Sequence, residues 1–378
     1  MDFELSEEAR QIRDTFARYV DERLIPRAAE IDEAHAFPRE AFDDIGALGF
    51  FRMLYPENSG GLGLGMVPYC LAVEELARGS MSVAGCVSMQ SLMATHFLNE
   101  LGNDDIKERL FEPALDGKKI GAICMTEPNA GSDLHGITTR AVEAEGGWRL
   151  TGQKMWVTSA PVADFFTVFA KAGNEDKLTI FLVERDCKGL SIGRTIDKMG
   201  VWALITSEVA FDECLVPDSQ RLCEIGEGET HLRKILAQIR ILTGALGIGI
   251  ARAAMDAAVT YASERNQFGR PINRFQAVQL KLAEMGTDLE AARHLVLFAA
   301  WLRDTGRPHR KEAAMAKLFA SEKAAEICDK AARIFASYGY AMEFPIQRYL
   351  RDVRFLLIGG GTSDILKITI ARDISRGD

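Results

Sequence analysis

Apolar positions in the first 120 residues recur every three to four places. Leu5, Ile12, Phe16, Val20, Leu24 and Ile25 form one such series, the spacing that lines side chains along one face of an α-helix. Pro38, in Phe37-Pro-Arg-Glu-Ala-Phe, suits the first turn of a helix, where its missing N–H has no partner to lose. The run Ser59-Gly-Gly-Leu-Gly-Leu-Gly reads as a loop ahead of a helix at 66–79. Between 121 and 220 the period shortens. Trp148 to Val157, Phe165 to Ala170, Leu178 to Val183 and Glu208 to Phe211 are short β-type runs, separated by turns at Gly146-Gly147, Gly173-Asn174 and Pro217-Asp218. From 226 onward helical spacing returns over 229–265, 274–303, 310–340 and 361–375, with Val278, Leu282, Met285 and Leu289 on one stripe. The pattern predicts an α+β chain of three closely packed domains: helical at 1–120, β at 121–225 and helical at 226–378. No internal repeat or low-complexity linker interrupts them.

Composition narrows the function. At 378 residues the chain exceeds what one core usually organises, and 47% apolar residues are ample to bury several. A formal charge of −9 argues against a nucleic-acid partner. Cysteines 70, 86, 124, 187, 214, 223 and 328 are scattered, without CxxC spacing or a Cys/His cluster. This reads as reduced thiols in a cytoplasmic protein with no metal site. Met1-Asp-Phe-Glu-Leu-Ser-Glu-Glu lacks the basic and apolar regions of a secretory signal. Ile239 to Val259 is apolar, but Arg240, Arg252 and Asp256 interrupt it, so a buried helix is expected rather than a membrane span. Gly244, Gly247 and Gly249 in that segment lack the preceding strand of a dinucleotide fingerprint and instead suit close helix packing.

Four segments carry candidate chemistry. Met125-Thr-Glu-Pro-Asn-Ala-Gly-Ser-Asp133 offers Thr126 and Ser132 around a turn whose N–H groups can face a ligand; alone it also fits a plain hairpin. Lys154-Met-Trp-Val-Thr-Ser-Ala160 places Trp156 and Thr158 two apart on a strand, hence on one face, a ring to cover a flat heterocycle and a hydroxyl for its edge. Arg265, in Tyr261-Ala-Ser-Glu-Arg-Asn-Gln-Phe-Gly-Arg-Pro-Ile272, ends a helix and offers a planar fork for a pyrophosphate, or simply caps the helix dipole. Near the carboxyl end, Gly359-Gly-Gly-Thr-Ser-Asp364 opens a helix with Thr362 as its cap or as a ligand donor.

In this order the segments resemble the acyl-CoA dehydrogenase family over nearly the whole chain. The resemblance implies a β-barrel or sandwich as the middle domain and a four-helix bundle at the end. It implies an FAD held by Met125, Thr126, Ser132, Trp156 and Thr158. Arg265, Phe268 and Gln276 would serve the flavin of a neighbouring subunit, and Thr362 and Asp364 would face flavin and adenosine. Tyr338-Gly-Tyr340 matches an upstream family feature, although Ala336-Ser337 replaces the usual double glycine. An acyl thioester of CoA or a carrier protein, an electron-transfer flavoprotein and a homotetramer or dimer are the implied partners, with no membrane.

One feature departs from the family. The base that removes the thioester's α-proton is usually a glutamate before the Gly-Thr-Ser turn or before an arginine on the first long carboxy-domain helix. Here those places hold Gly360 and Ile239. Trp202-Ala-Leu204 also replaces the common Arg-Gly-Ser, which implies an altered pocket wall, and Gly85 stands where desulfinase relatives carry arginine. The catalytic residues are therefore unassigned. Three readings stay open: a flavoenzyme without the standard base, a catalytically silent subunit of a heteromer, and a flavin-binding scaffold.

Overall fold

The structure is a computed structural model that describes residues 4–173 and 176–376, so Asn174 of the expected turn lies outside the described residues. Helices Glu7–Tyr19, Arg39–Ala47, Met66–Gly79, Met81–Ser88 and Thr95–Leu101 build the first part. Ser6 caps the first helix by accepting from Ala9 N–H at 3.1 Å. Phe16, Val20 and Leu24 are buried as the spacing requires, but Ile25 is exposed, because a π-turn at Val20–Leu24 and a short 3-10 turn holding Pro26 rotate it off the stripe. Pro38 stands one place ahead of its helix rather than inside it.

The middle part is one curled sheet, a half-barrel rather than a closed barrel or sandwich. Its strands are β1 (Gly121–Cys124), β2 (Arg140–Ala144), β3 (Gly147–Thr158), β4 (Phe165–Ala172), β5 (Lys177–Glu184), β6 (Leu190–Thr195) and β7 (Thr206–Val216). The order is β1-β4-β2-β3-β7-β6, with β5 antiparallel along the other edge of β4. β1 and β2 share one edge of β4: Gly121 to Cys124 pair with Phe165 to Val168, while Arg140 and Ala141 pair with Lys171 and Ala172. The chain between β1 and β2 must therefore leave the sheet and return to it. That excursion is the Met125–Asp133 segment.

The last part packs helices Gly228–Glu264, Gln276–Asp304, Arg310–Phe335 and Ser363–Arg376. The first is long and apolar enough to cross a membrane, yet 83% of its most apolar window is buried inside the protein. Its glycines are packing surfaces: a Cβ at Gly244 would stand 2.6 Å from Val296 Cγ2, and one at Gly249 2.3 Å from the Glu74 carbonyl. Met285 and Leu289 are buried on the predicted stripe of the second helix. The third stops at Phe335, not 340, because Ala336 turns with φ 54 where a glycine would sit without strain.

Candidate active site

The excursion between β1 and β2 is fixed from beneath. Lys154 has no exposed surface; its Nζ donates to Glu127 Oε1 at 2.8 Å and to the Met125 carbonyl at 3.1 Å. Glu127 also accepts from Thr138 N–H at 2.6 Å, Thr138 Oγ1 at 2.8 Å and Thr139 N–H at 3.0 Å. Burial alone would raise the Glu127 pKa, but Lys154 and these donors bring it down to about 2. Reciprocal backbone bonds between Glu127 and Ala130 close the turn, and Met155 N–H donates to the Thr126 carbonyl at 2.8 Å. One buried ion pair thus clamps the first motif onto the second.

β3 carries an extra residue here. Lys154 pairs with Val209 but Val157 with Ser207, and Trp156 adopts φ 59. Such a bulge reverses the alternation of faces. Lys154 points inward, whereas Trp156 is turned out and 56% exposed with Thr158 half-buried beside it. Trp156 and Thr158 share the open face, as expected. Among the described residues the hydroxyls of Thr126, Ser132 and Thr158 make no side-chain hydrogen bond within the protein. Three unspent hydroxyls beside an exposed indole fit a flat polar heterocycle well.

The carboxyl-terminal glycine turn packs on the first long helix of the last part. A Cβ at Gly360 would lie 3.6 Å from Ile239 Cγ2 and 3.1 Å from Thr243 Oγ1. The two family positions for the base therefore converge on one spot, and neither side chain can take a proton. Asp133 accepts from His135 N–H at 3.1 Å and Asp364 pairs with Lys367 at 3.2 Å, so both acids have local partners. Thr362 Oγ1 caps its helix by accepting from Ile365 N–H at 3.3 Å.

The structure does not bring Arg265, Phe268 and Gln276 to this spot. From Ile239 to Arg265 the chain is continuous helix, about 40 Å at 1.5 Å per residue. Arg265 instead lies over the Tyr338 ring at 5.7 Å, and Phe268, 93% exposed, meets only the edge of Phe275. The two groups of expected cofactor residues are thus apart within one chain.

Trp202 ties distant parts of the chain together. It stacks on His35 at 4.4 Å, carries the Arg351 guanidinium at 3.8 Å from its centroid and donates to the Lys198 carbonyl at 2.8 Å. Leu204 fills the space beside Gly85, where a Cβ would stand 2.8 Å from Leu204 Cδ2. The Lys154–Glu127 clamp has no counterpart in the sequence expectations. Its only signal was a lysine on a strand otherwise apolar on its inner face.

A curled sheet between two helical parts, with hydroxyls and an indole on its open ledge, is the setting of a flavin-dependent oxidoreductase of acyl thioesters. Three family signatures cover almost the whole chain: "Acyl-CoA dehydrogenase, N-terminal domain" over residues 6–118, the middle domain over 122–214 and the C-terminal domain over 226–375. The chain belongs to the acyl-CoA dehydrogenase family. It is 68% identical over 376 residues to a benzylmalonyl-CoA dehydrogenase of Aromatoleum aromaticum, covering 99% of this chain and 100% of that one. Butyryl-CoA dehydrogenase of Megasphaera elsdenii superposes with a TM-score of 0.96 at 33% identity, over 100% of both chains. The FAD complex of PigA superposes equally well, 0.96 at 29% identity over 100% of both. These relatives are oxidoreductases, and the family indicates a flavin cofactor.

Proposed function

We propose that this chain is an FAD enzyme that oxidises and decarboxylates an arylmethyl-substituted malonyl-CoA thioester, releasing a 3-arylacryloyl-CoA. The carrying observation is the convergence of Ile239 and Gly360 on one spot with no acid at either. An ordinary acyl thioester needs a base there to take the α-proton. A malonyl thioester brings its own leaving group. Breaking the bond from Cα to its carboxylate leaves the electron pair on Cα beside the thioester carbonyl, CO2 departs, and hydride leaves Cβ. The products are CO2, the αβ-unsaturated thioester and one hydride, with no proton removed. The substrate of the Aromatoleum relative, as named, is of this kind.

A flavin on the ledge would accept that hydride. Thr126, Ser132 and Thr158 would hold its polar edge, Trp156 would cover one face, and Met125 would line the same ledge. Thr362 and Asp364 would approach from the glycine turn. Arg265, Phe268 and Gln276 would clamp the FAD of a partner subunit, so a homotetramer or dimer is part of this reading, with an electron-transfer flavoprotein as final acceptor.

The test is anaerobic flavin bleaching. 2-Benzylmalonyl-CoA should bleach the purified protein rapidly and release one CO2 per flavin reduced, while 3-phenylpropanoyl-CoA should bleach it at least about 10²-fold more slowly. Equal rates would show a base elsewhere and end this reading. No response to either would leave the silent subunit or scaffold.

A further inference from the structure

Behind the Ile239–Gly360 spot stand two buried cations without acids of their own. Lys317 has no exposed surface, and its Nζ donates to the Gly361 carbonyl at 2.8 Å, holding the glycine turn. Arg240 follows Ile239 on the same helix, is 8% exposed, and its Nε has no hydrogen-bond partner. Burial, with Arg240 adding to it and Glu322 opposing, lowers the Lys317 pKa to about 8. Arg240 in turn feels Arg310 and Asp373. Of the neighbouring carboxylates, Glu322 accepts from Ser363 Oγ at 2.5 Å, while Asp373 Oδ1 lies 3.5 Å from the exposed Arg310 and its buried Oδ2 has no hydrogen-bond partner among the described residues. Arg240 therefore keeps a buried Nε–H with no acceptor among the described residues, an arrangement that is costly until an acceptor completes it.

We propose that Lys317 and Arg240 form the receiving subsite for the substrate's α-carboxylate, which occupies the space that a glutamate side chain at 360 would fill. The inference rests on the decarboxylating reading above. The near wall of that space is the Ile239 methyl, the Thr243 side chain and glycine backbone. The cations attract the carboxylate from behind, while on the near wall Thr243 donates its hydroxyl to the Ile239 carbonyl at 2.7 Å and the Ile239 methyl favours neutral CO2 over the anion it came from. Neither cation gives or takes a proton: the electron pair of the broken bond stays on Cα. The pair acts as a specificity device, rewarding thioesters that carry the charge which the missing glutamate would have supplied.

The experiment titrates the FAD-loaded protein by flavin absorbance with two thioether analogues, in which CH2 replaces the thioester carbonyl so that no enolate can form. One carries the 2-benzylmalonyl carboxylate and the other is the 3-phenylpropyl compound without it. In Arg240→Gln and in Lys317→Met the carboxylated analogue should bind ~10–100-fold more weakly, the loss of a charged hydrogen bond, with the other changed less than about twofold. Arg240→Lys should fall between wild type and Arg240→Gln. Equal weakening of both analogues, or no change in Arg240→Gln, overturns the subsite, and the Arg240 pair decides the matter if Lys317→Met does not retain flavin. Failure of the underlying reading is visible separately, as wild type bleached alike by carboxylated and uncarboxylated thioesters.

Discussion

Ile239 and Gly360 are far apart in the chain yet one Cβ would bring them into contact. They are not equivalent places to restore a base. Ile239 sits in regular helix, whereas Gly360 has φ 70 and Thr243 Oγ1 3.1 Å from where a Cβ would stand. A side chain in that left-handed region costs about 1–2 kcal/mol. Ile239→Glu should therefore speed anaerobic bleaching by 3-phenylpropanoyl-CoA by ~10²-fold or more, helped by burial that raises the new acid's pKa toward neutrality. Gly360→Glu should gain less and melt several degrees lower. Stopped-flow bleaching and a thermal melt decide it, and no gain in Ile239→Glu would mean that the thioester does not lie against this wall. The open placement of Trp156 and Thr158 was legible from the sequence, because a Trp-x-Thr alternation puts both on one face of a strand. Lys154 was not, since it has the same parity as Trp156 and only the bulge sends the two to opposite sides.

At the scale of elements, β3, β4 and β5 were readable as short β-type runs, and β7 in part, through Glu208 to Phe211. β1 and β2 were not: β1 is four residues, and β2 exposes most of Arg140–Ala144. β6 has only partly covered and exposed positions and carries a glycine. Such strands are set by the neighbours they pair with rather than by their own composition. The Lys154–Glu127 pair is the joint on which this part depends. Lys154→Met would strand a buried carboxylate, so it should destabilise the protein by ~3–5 kcal/mol and lower the flavin-to-protein ratio. Adding Glu127→Gln should recover part of the loss. Lys154→Met with an unchanged melting temperature and full flavin would show that the clamp is ornamental. The four long carboxy-terminal helices were read from their spacing, but the short helix Ile346–Asp352 was not, nor was the end of the third at Ala336, where the turn is made by a residue whose type gives no warning of φ 54.

At the scale of the whole molecule, about 40 Å of helix separates Arg265 from the Ile239–Gly360 spot. The proposed service of Arg265 to a second copy rests on the family resemblance alone, because no local pattern in the sequence points an arginine at another chain. Arg265→Ala should leave the oligomer intact by light scattering and weaken FAD by ~1.5–3 kcal/mol, read by equilibrium dialysis. A monomer with full FAD would contradict the arrangement. The shared edge of β4 carries one more consequence, for the order of assembly. Gly121 pairs with Phe165, and Arg140 with Thr151 and Lys171, so both ends of the cofactor excursion take their place in the sheet against strands made later. On a growing chain the ledge is therefore complete only once β4 has been made. The cofactor's part comes afterwards: it ratifies a finished sheet, and fragments ending before Ala172 should emerge colourless.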